Sequence, residues 1–223
     1  MDHSYGTGPS DPLGEKCNRL CQAIHDSECP ASEEDLTTIR RLLESRADPN
    51  YSQTHVGHYT SPLHYAIGHG RAVLALLVYH KADVNIRDRS GETALVYALA
   101  YGESERRSES ADELVRLGVD VNIPNPTSHY TALHHAVQNG DVPLIRLLLQ
   151  AGARPDALTL DTETPRQLSP SAEVAHAFDT ALEEVNCRIA LAQGSHPRLG
   201  AGSLLHRLDA PLLPIIGRYL TPS

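Results

Sequence analysis

A six-residue phrase recurs along the chain at a nearly constant interval. It reads SPLHYA from Ser61, TALVYA from Thr93 and TALHHA from Thr131, and a degenerate copy begins with TP at Thr164. These copies start 32, 38 and 33 residues apart. A recurrence near 33 residues is typical of a stacked array in which one supersecondary unit is repeated. Because such an array presents an extended surface, the pattern favours recognition over an enclosed reaction site.

A second phrase alternates with the first. It lies at residues 42–50, 76–85, 117–122 and 147–156, and it combines leucines with a small residue and a closing Asp or Asn. Each leucine-rich half predicts the end of a helix, and Gly118 suits the left-handed backbone that stops a helix. The Asp and Asn residues that follow favour turns, because their side chains bond to nearby backbone groups.

The first phrase carries the signals of a helix start. Ser or Thr before an apolar run is a preferred N-cap, and a following proline such as Pro62 fits the first helical turn. Leu133, Ala136 and Val137 have the spacing of one buried helical face. A glycine then ends this helix, and a second helix is expected from Val142 to Gln150. Each repeat therefore predicts two helices joined by a turn.

The two alternating phrases resemble the ankyrin repeat, whose hallmark is T-P-L-H-x-A, a glycine turn and then L-L-x-x-G-A-D-V-N. The resemblance covers residues 16–193. It implies an all-α ankyrin-repeat solenoid, in which each unit has a hairpin, a short inner helix, a turn and a longer outer helix. It also implies that His64 and His134 make structural hydrogen bonds between hairpins.

Three segments of the chain are expected. Residues 1–15 are polar and predict a disordered N-terminus without the features of a secretory signal. Residues 16–193 are expected to form the ankyrin repeat domain, with an atypical first repeat at 16–50, repeats at 51–85, 86–122 and 123–156, and a capping unit. The first repeat should hold helices near residues 18–27 and 33–45. Residues 194–223 predict a linker and an apolar C-terminal helical segment, and the charged stretch at 102–110 predicts a mobile turn.

The apolar segment from Leu204 to Leu220 has two interpretations. In one, it packs on the last repeat as a helical segment. In the other, it resembles an F-box-like or SOCS-box-like ending, which recruits a ubiquitin ligase scaffold. Leu208 stands where a SOCS box usually has Cys, the second Pro of its scaffold-binding motif is absent, and the segment is short for either box. The sequence leaves both interpretations open.

The open face of the inner helices is the expected contact surface. In the ankyrin pattern, the position after the structural histidine and the position one turn further along face the groove. Tyrosine there offers a large apolar face with a polar tip, which is typical of binding hot spots. The long segment between Asn50 and Pro62 adds a candidate recognition finger. The candidate contact residues are Tyr65, His69, Tyr97, Tyr101, His135 and Asn139 on the helices, and His55, His58 and Tyr59 in the finger. In the alternative interpretation, the helix residues only cover a small core, and the finger is a surface insertion without a function.

Catalytic and cofactor motifs are absent from the sequence. It has no Gly-rich phosphate loop, no G-x-S-x-G elbow and no nucleophile–base constellation, so no cofactor and no metal are expected. The net charge of −9 disfavours nucleic acid and anionic membrane as partners. No apolar run approaches the roughly 18 residues of a membrane span. The four cysteines are expected to be free thiols in a reducing compartment, the cytoplasm or the nucleus.

The sequence therefore predicts a non-enzymatic protein–protein interaction module that binds a partner protein through the concave face and hairpin fingers of the array. One alternative is a substrate-recognition adaptor of a cullin-type ubiquitin ligase, with ligase components bound by the C-terminal segment. Another is a regulatory subunit whose catalytic part lies on a separate chain. Asn85 and Asn122 match the asparaginyl hydroxylation pattern of ankyrin repeats, but a turn-forming role is sufficient to explain both residues.

Overall fold

A computed structural model describes residues 12–51, 61–101 and 104–192. Within these ranges the chain is helical, has no β-strand, and has an isolated antiparallel bridge between Arg87 and Thr93. The all-α expectation is therefore confirmed. The helices are α1 (Pro12–His25), α2 (Glu33–Glu44), α3 (Pro62–Tyr65), α4 (Arg71–Tyr79), α5 (Ala94–Tyr101), α6 (Ser104–Arg116), α7 (Ala132–Gln138), α8 (Val142–Gln150), a 3-10 helix (Pro165–Leu168) and α9 (Ala172–Ala192).

The described residues fall into two compact units. The first lies within residues 1–120 and 125–127, and the second within residues 121–124 and 128–223. Helix α1 begins at Pro12, before the expected start of the domain at residue 16, and α9 ends at Ala192, near its expected end. Helix α8 has the bounds that the sequence predicted, Val142–Gln150.

In the first unit the helices form two layers of successive pairs. The inner helices α1, α3 and α5 contact one another in order, as do the outer helices α2, α4 and α6. Leucine and isoleucine side chains fill the space between the layers, and each fully buried one stabilises the fold by about 1.5–3 kcal/mol. The fully buried aliphatic side chains of this unit include Leu20, Ile24, Ile39, Leu63, Leu74, Leu77, Leu95, Leu99 and Leu114.

The second unit repeats this plan with α7 inside and α8 outside. Helix α7 packs on α8 and on the 3-10 helix, and α9 covers α8. Leu133, Ala136 and Val137 are all buried, which confirms the predicted buried face of α7, and Phe178 of α9 is buried as well. On the outside, the guanidinium of Arg166 donates to both carboxylate oxygens of Asp179, at 2.6 and 2.8 Å.

Three asparagines connect successive hairpins, and each connection joins two hairpins of the same unit. Asn50 and Asn85 lie in the first unit and Asn122 lies in the second. The Oδ1 atom of each accepts the backbone N–H of the matching turn in the next repeat: Asp83 at 2.7 Å, Asp120 at 2.8 Å and Arg154 at 2.8 Å, respectively. The turns themselves are closed by aspartates, since Asp48 and Asp83 accept the N–H of the residue two positions later. The asparagines therefore bridge repeats in addition to lying in turns.

The charged stretch at residues 102–110 differs from the expectation of a mobile turn. Helix α6 already begins at Ser104. Ser110, Ala111 and Leu114 are buried, so the second half of the helix is anchored on the unit. Once a helix is anchored, extension by good helix formers such as Glu and Arg needs no new nucleation. The predicted turn was wrong for residues 104–110.

Candidate functional site

The site is built around His64, which ties an inner helix to the next hairpin. This residue is only 2% exposed. The Nε2 atom lies 3.1 Å from the carbonyl oxygen of Glu92, and Nδ1 lies 2.8 Å from the hydroxyl of Ser61. Because a carbonyl only accepts, Nε2 carries the proton and Nδ1 accepts from the hydroxyl. Burial lowers the pKa of His64, which keeps the ring neutral.

His134 makes the same arrangement in the second unit. Its Nδ1 accepts the backbone N–H of Thr131 at 3.1 Å, and its Nε2 donates to the carbonyl of Glu163 at 3.3 Å. Burial is the main cause that lowers the pKa of this imidazole as well. The structural role that the resemblance implied for both histidines is present in the structure.

Three tyrosines line one side of the first unit. Tyr65 and Tyr97 are half-buried, and Tyr101 is 67% exposed. Tyr97 and Tyr101 are four residues apart on α5, so their rings are neighbours, with centroids 5.1 Å apart. The ring of Tyr97 also meets the His64 ring edge-to-face at 5.8 Å. The buried His64 ring therefore packs against Tyr97, which in turn contacts Tyr101.

These tyrosines form one wall of an open pocket with a volume of about 490 Å³. The opposite rim is the hairpin of the third repeat, which carries two carboxylates. The residues that line the pocket are His64, Tyr65, Asp88, Ser90, Glu92, Tyr97 and Tyr101. Tyr65, Tyr97 and Tyr101 were among the contact residues expected from the sequence, whereas Asp88, Ser90 and Glu92 were not.

The hairpin is held in shape by its own hydrogen bonds. Asp88 Oδ1 accepts the backbone N–H of Glu92 at 2.9 Å, and the N–H of Asp88 donates to the Glu92 carbonyl at 2.9 Å. The Glu92 carboxylate is buried and accepts from the side-chain amide of Asn125. A signal that could have located these residues in the sequence is the acidic pair Asp88 and Glu92 around Gly91, just before the phrase that starts at Thr93.

The pocket has a negative electrostatic character. Burial raises the pKa of Glu92, and the nearby Asp88 charge raises it further, against the lowering effect of the Asn125 hydrogen bond. Charge on Glu92 is the main cause that raises the pKa of Tyr101, with burial second. Asp88, Glu92 and Tyr101 line the same pocket, so a charge on one of them acts on the others.

His69 lies elsewhere in the first unit. It does not line the pocket, and its Nδ1 lies 2.9 Å from the hydroxyl of Ser27 and 3.4 Å from the sulfur of Cys29. Helix α3 ends at Tyr65, so helical spacing does not extend to residue 69. By contrast, α5 runs to Tyr101 and keeps that residue beside Tyr97.

His135 and Asn139 lie in the second unit. His135 is half-buried, and its ring centroid lies 5.2 Å from that of Tyr130. Asn139 is exposed and follows α7 as its C-cap residue. Tyr130 also contacts His134 and was not among the predicted contact residues. The finger residues His55, His58 and Tyr59 lie outside the described residues.

The described part of the chain contains no group of three or more His, Cys, Asp or Glu residues that would hold a metal ion. None of the four cysteines, all of which the structure describes, forms a disulfide bond. Cys17 and Cys21 are buried on α1, and burial, with a smaller effect of Cys17, raises the pKa of Cys21 to about 12. Such a thiol stays protonated at neutral pH and is a poor nucleophile. No helix in the described ranges meets the length and hydrophobicity of a membrane span.

Several curated proteins are similar to this chain. It is 37% identical over 133 residues to a rice protein named probable E3 ubiquitin-protein ligase XBOS33, a match that covers 59% of this chain and 23% of that protein. It is 36% identical over 165 residues to E3 ubiquitin-protein ligase XBAT33 of Arabidopsis thaliana, covering 74% and 29%. It is 38% identical over 130 residues to human ankyrin repeat and SOCS box protein 6, covering 55% and 30%. The chain thus spans less than a third of the length of these relatives.

The protein-family comparison matches the repeats themselves. Residues 29–125 match ankyrin repeats in three copies, and residues 128–160 match an ankyrin repeat. These matches contain the alternating phrases, the paired helices and the buried histidines described above. Ankyrin repeats are protein-interaction modules and are not themselves catalytic. The chain belongs to the ankyrin repeat family.

Proposed function

We propose that this ankyrin array binds a partner protein through the tyrosine-lined pocket of its first unit. The observation that carries the proposal is the open pocket of about 490 Å³, in which Tyr65, Tyr97 and Tyr101 face the hairpin at residues 88–92. A tyrosine that is 67% exposed, such as Tyr101, contributes little to a core. The same ring would bury a large area when a partner covers it.

Preorganisation supports the same role. The hydrogen bond from His64 to the Glu92 carbonyl ties the floor of the pocket to its rim. The bonds between Asp88 and Glu92 fix the shape of the hairpin before any partner arrives. Because the surface is ordered in advance, less conformational entropy is lost on association.

Further contacts are proposed beyond this pocket. His135 and Asn139 of the second unit present a half-buried ring and an exposed amide, which are groups that take part in polar contacts. The finger residues His55, His58 and Tyr59 would add contacts from the segment between Asn50 and Pro62. His69 is the weakest member of the set, because its ring already lies against Ser27 and Cys29.

The test is affinity capture on the immobilised full chain followed by mass spectrometry. The informative variant is Tyr101→Ala, and the matched control is Tyr79→Ala. Tyr79 is also exposed, at 78%, but it lies on the outer helix α4 and does not line the pocket. Partners should be lost with Tyr101→Ala and kept with Tyr79→Ala. If both variants capture the same proteins as the unmodified chain, the pocket is not the contact surface.

A second candidate function is an adaptor for ubiquitination, in which the array holds a substrate and residues 204–220 hold ligase components. It is supported by relatives whose names include E3 ubiquitin-protein ligase and SOCS box. Those residues lie outside the described part of the chain. A pull-down should compare the full chain with a form that ends at Gln193. Equal recovery of a cullin complex from both forms would exclude this role for the segment.

A further inference from the structure

The pocket of the first unit combines two carboxylates with aromatic rings. We propose that it holds a positively charged side chain, arginine or lysine, of the bound partner. This inference rests on the proposed function, since it names the group of the partner that enters the pocket.

The carboxylates supply the charge complementarity. Asp88 and Glu92 both line the pocket, and Glu92 is only 4% exposed. One carboxylate oxygen of Asp88 accepts the Glu92 backbone N–H, and one carboxylate oxygen of Glu92 accepts from the side-chain amide of Asn125. Each carboxylate has a second oxygen that can accept from a guanidinium or ammonium group. A charge-assisted bond of this kind is stronger than a neutral one.

The tyrosines supply the second element. Tyr97 and Tyr101 lie with ring centroids 5.1 Å apart at an angle of 49°. The face of an aromatic ring attracts a cation that lies within about 6 Å of the centroid. The aliphatic stem of arginine or lysine would contact the same rings. An aromatic wall with two carboxylates therefore suits an organic cation better than a metal ion, for which the described residues offer no group of three ligands.

No cationic side chain is found among the described residues that line the pocket. Of the lining residues that the structure describes, His64 is the only basic one, and its Nδ1 accepts a hydrogen bond while burial lowers its pKa. Arg87 lies on the same hairpin but donates to the Gly91 carbonyl, at 3.4 Å. Neither Arg87 nor Arg89 lines the pocket. Within the described part of the lining, no cationic side chain stands beside Asp88 and Glu92, and a cation from a partner would relieve their mutual repulsion.

The direct test is an NMR titration of the full chain, labelled with ¹⁵N. The probes are the methylamides of Nα-acetyl-arginine and Nα-acetyl-lysine, and the control is the methylamide of Nα-acetyl-citrulline, which has the shape of arginine without its charge. Either cation should shift the backbone amides of residues 88–92 and 97–101 in a saturable way, whereas citrulline should not. Equal shifts with citrulline, or no saturable shift in these segments with either cation, would overturn the proposal.

A pair of charge-removing variants sharpens the titration. Asp88→Asn removes a charge from the pocket but keeps an oxygen that can accept the Glu92 N–H. Asp83→Asn removes one charge from the same unit, at a similar turn bond, outside the pocket. Binding of the cation should weaken about tenfold in Asp88→Asn, equal to about 1.4 kcal/mol, and stay unchanged in Asp83→Asn. Equal affinities in the two variants would contradict a role for the pocket charge.

The same variants separate this inference from the proposed function. If Tyr101→Ala and Asp88→Asn both lose the captured partners, both proposals are supported. If Tyr101→Ala loses them while Asp88→Asn keeps them, the tyrosine surface binds a partner but no cation enters the pocket. If neither variant loses them, the proposed function fails together with the inference.

Discussion

Replacement of Gly91 by alanine should destabilise the first unit by about 2–4 kcal/mol. Gly91 lies at the tip of the hairpin that carries Asp88 and Glu92, with a φ of +76°. A Cβ atom at this position would overlap Cγ of Pro126 and lie 3.0 Å from its Cδ. The substitution therefore combines a backbone penalty with a steric one, and it pushes on the rim of the pocket.

The two penalties can be assigned separate magnitudes. A non-glycine residue in the left-handed region costs about 1–2 kcal/mol. About 0.4–1 kcal/mol of this is offset, because alanine reduces the entropy of the unfolded chain. Displacement of packed neighbours adds about 1–3 kcal/mol. Gly118 is the matched control, since its φ is +87° and a Cβ there would meet no atom within 4 Å. Gly118→Ala should therefore cost only about 1 kcal/mol.

The assay is urea unfolding followed by circular dichroism, with the free energy obtained by linear extrapolation. The difference between Gly91→Ala and Gly118→Ala measures the clash with Pro126. A second substitution, Pro126→Ala, removes Cγ and Cδ and should bring the cost of Gly91→Ala close to that of Gly118→Ala. Equal losses for Gly91→Ala and Gly118→Ala in the unmodified background would refute the contact between the hairpin tip and Pro126.

Three further predictions concern the core, the buried histidines and the hairpin bridges. Leu133→Ala should lower the free energy of unfolding by about 2–5 kcal/mol, whereas Leu158→Ala, at a side chain that is 53% exposed, should have little effect in the same urea titration. Burial lowers the pKa of His64 and His134, so the unfolded chain binds more protons near pH 6. Their contribution is present above the ordinary histidine pKa of about 6.5 and is lost as the pH falls through the lowered values. The thermal midpoint should fall with acidification in this range, and a flat profile would contradict the neutral state of both rings. Asn85→Ala should cost about 0.5–1.5 kcal/mol through loss of its bond to the next hairpin, and faster hydrogen exchange at the Asp120 N–H would report that loss directly.

The repeat structure was predictable from the sequence because its signals are local. The N-cap and proline signals, the spacing of Leu133 with Val137, and the stop at Gly118 each depend on a few neighbouring residues. Val142–Gln150 was accordingly predicted with the bounds that the structure shows. The structural role of His64 and His134 was implied by the resemblance of their phrases to the ankyrin repeat, and their bonds to the next hairpin are present in the structure.

The pocket was only half predictable. Tyr97 was expected from its position in the ankyrin pattern and Tyr101 from its place one helical turn further along. Asp88 and Glu92 reach the pocket because the hairpin folds back over the preceding inner helix. Local sequence does not encode that tertiary contact. The prediction for His69 assumed that helical spacing continues past Tyr65. Helix α3 ends at Tyr65, and the His69 ring lies beside Ser27 and Cys29.

The affinity of the full chain for a captured partner, measured with and without the Tyr97 ring, tests the central claim most directly. Tyr97 lines the pocket and contacts both His64 and Tyr101. Tyr97→Ala should raise the Kd about 10–30-fold, as expected for a hot-spot tyrosine, while the thermal midpoint changes little. An unchanged Kd in a folded variant would contradict partner binding at this pocket, and a large loss of stability would show that the ring belongs to the core.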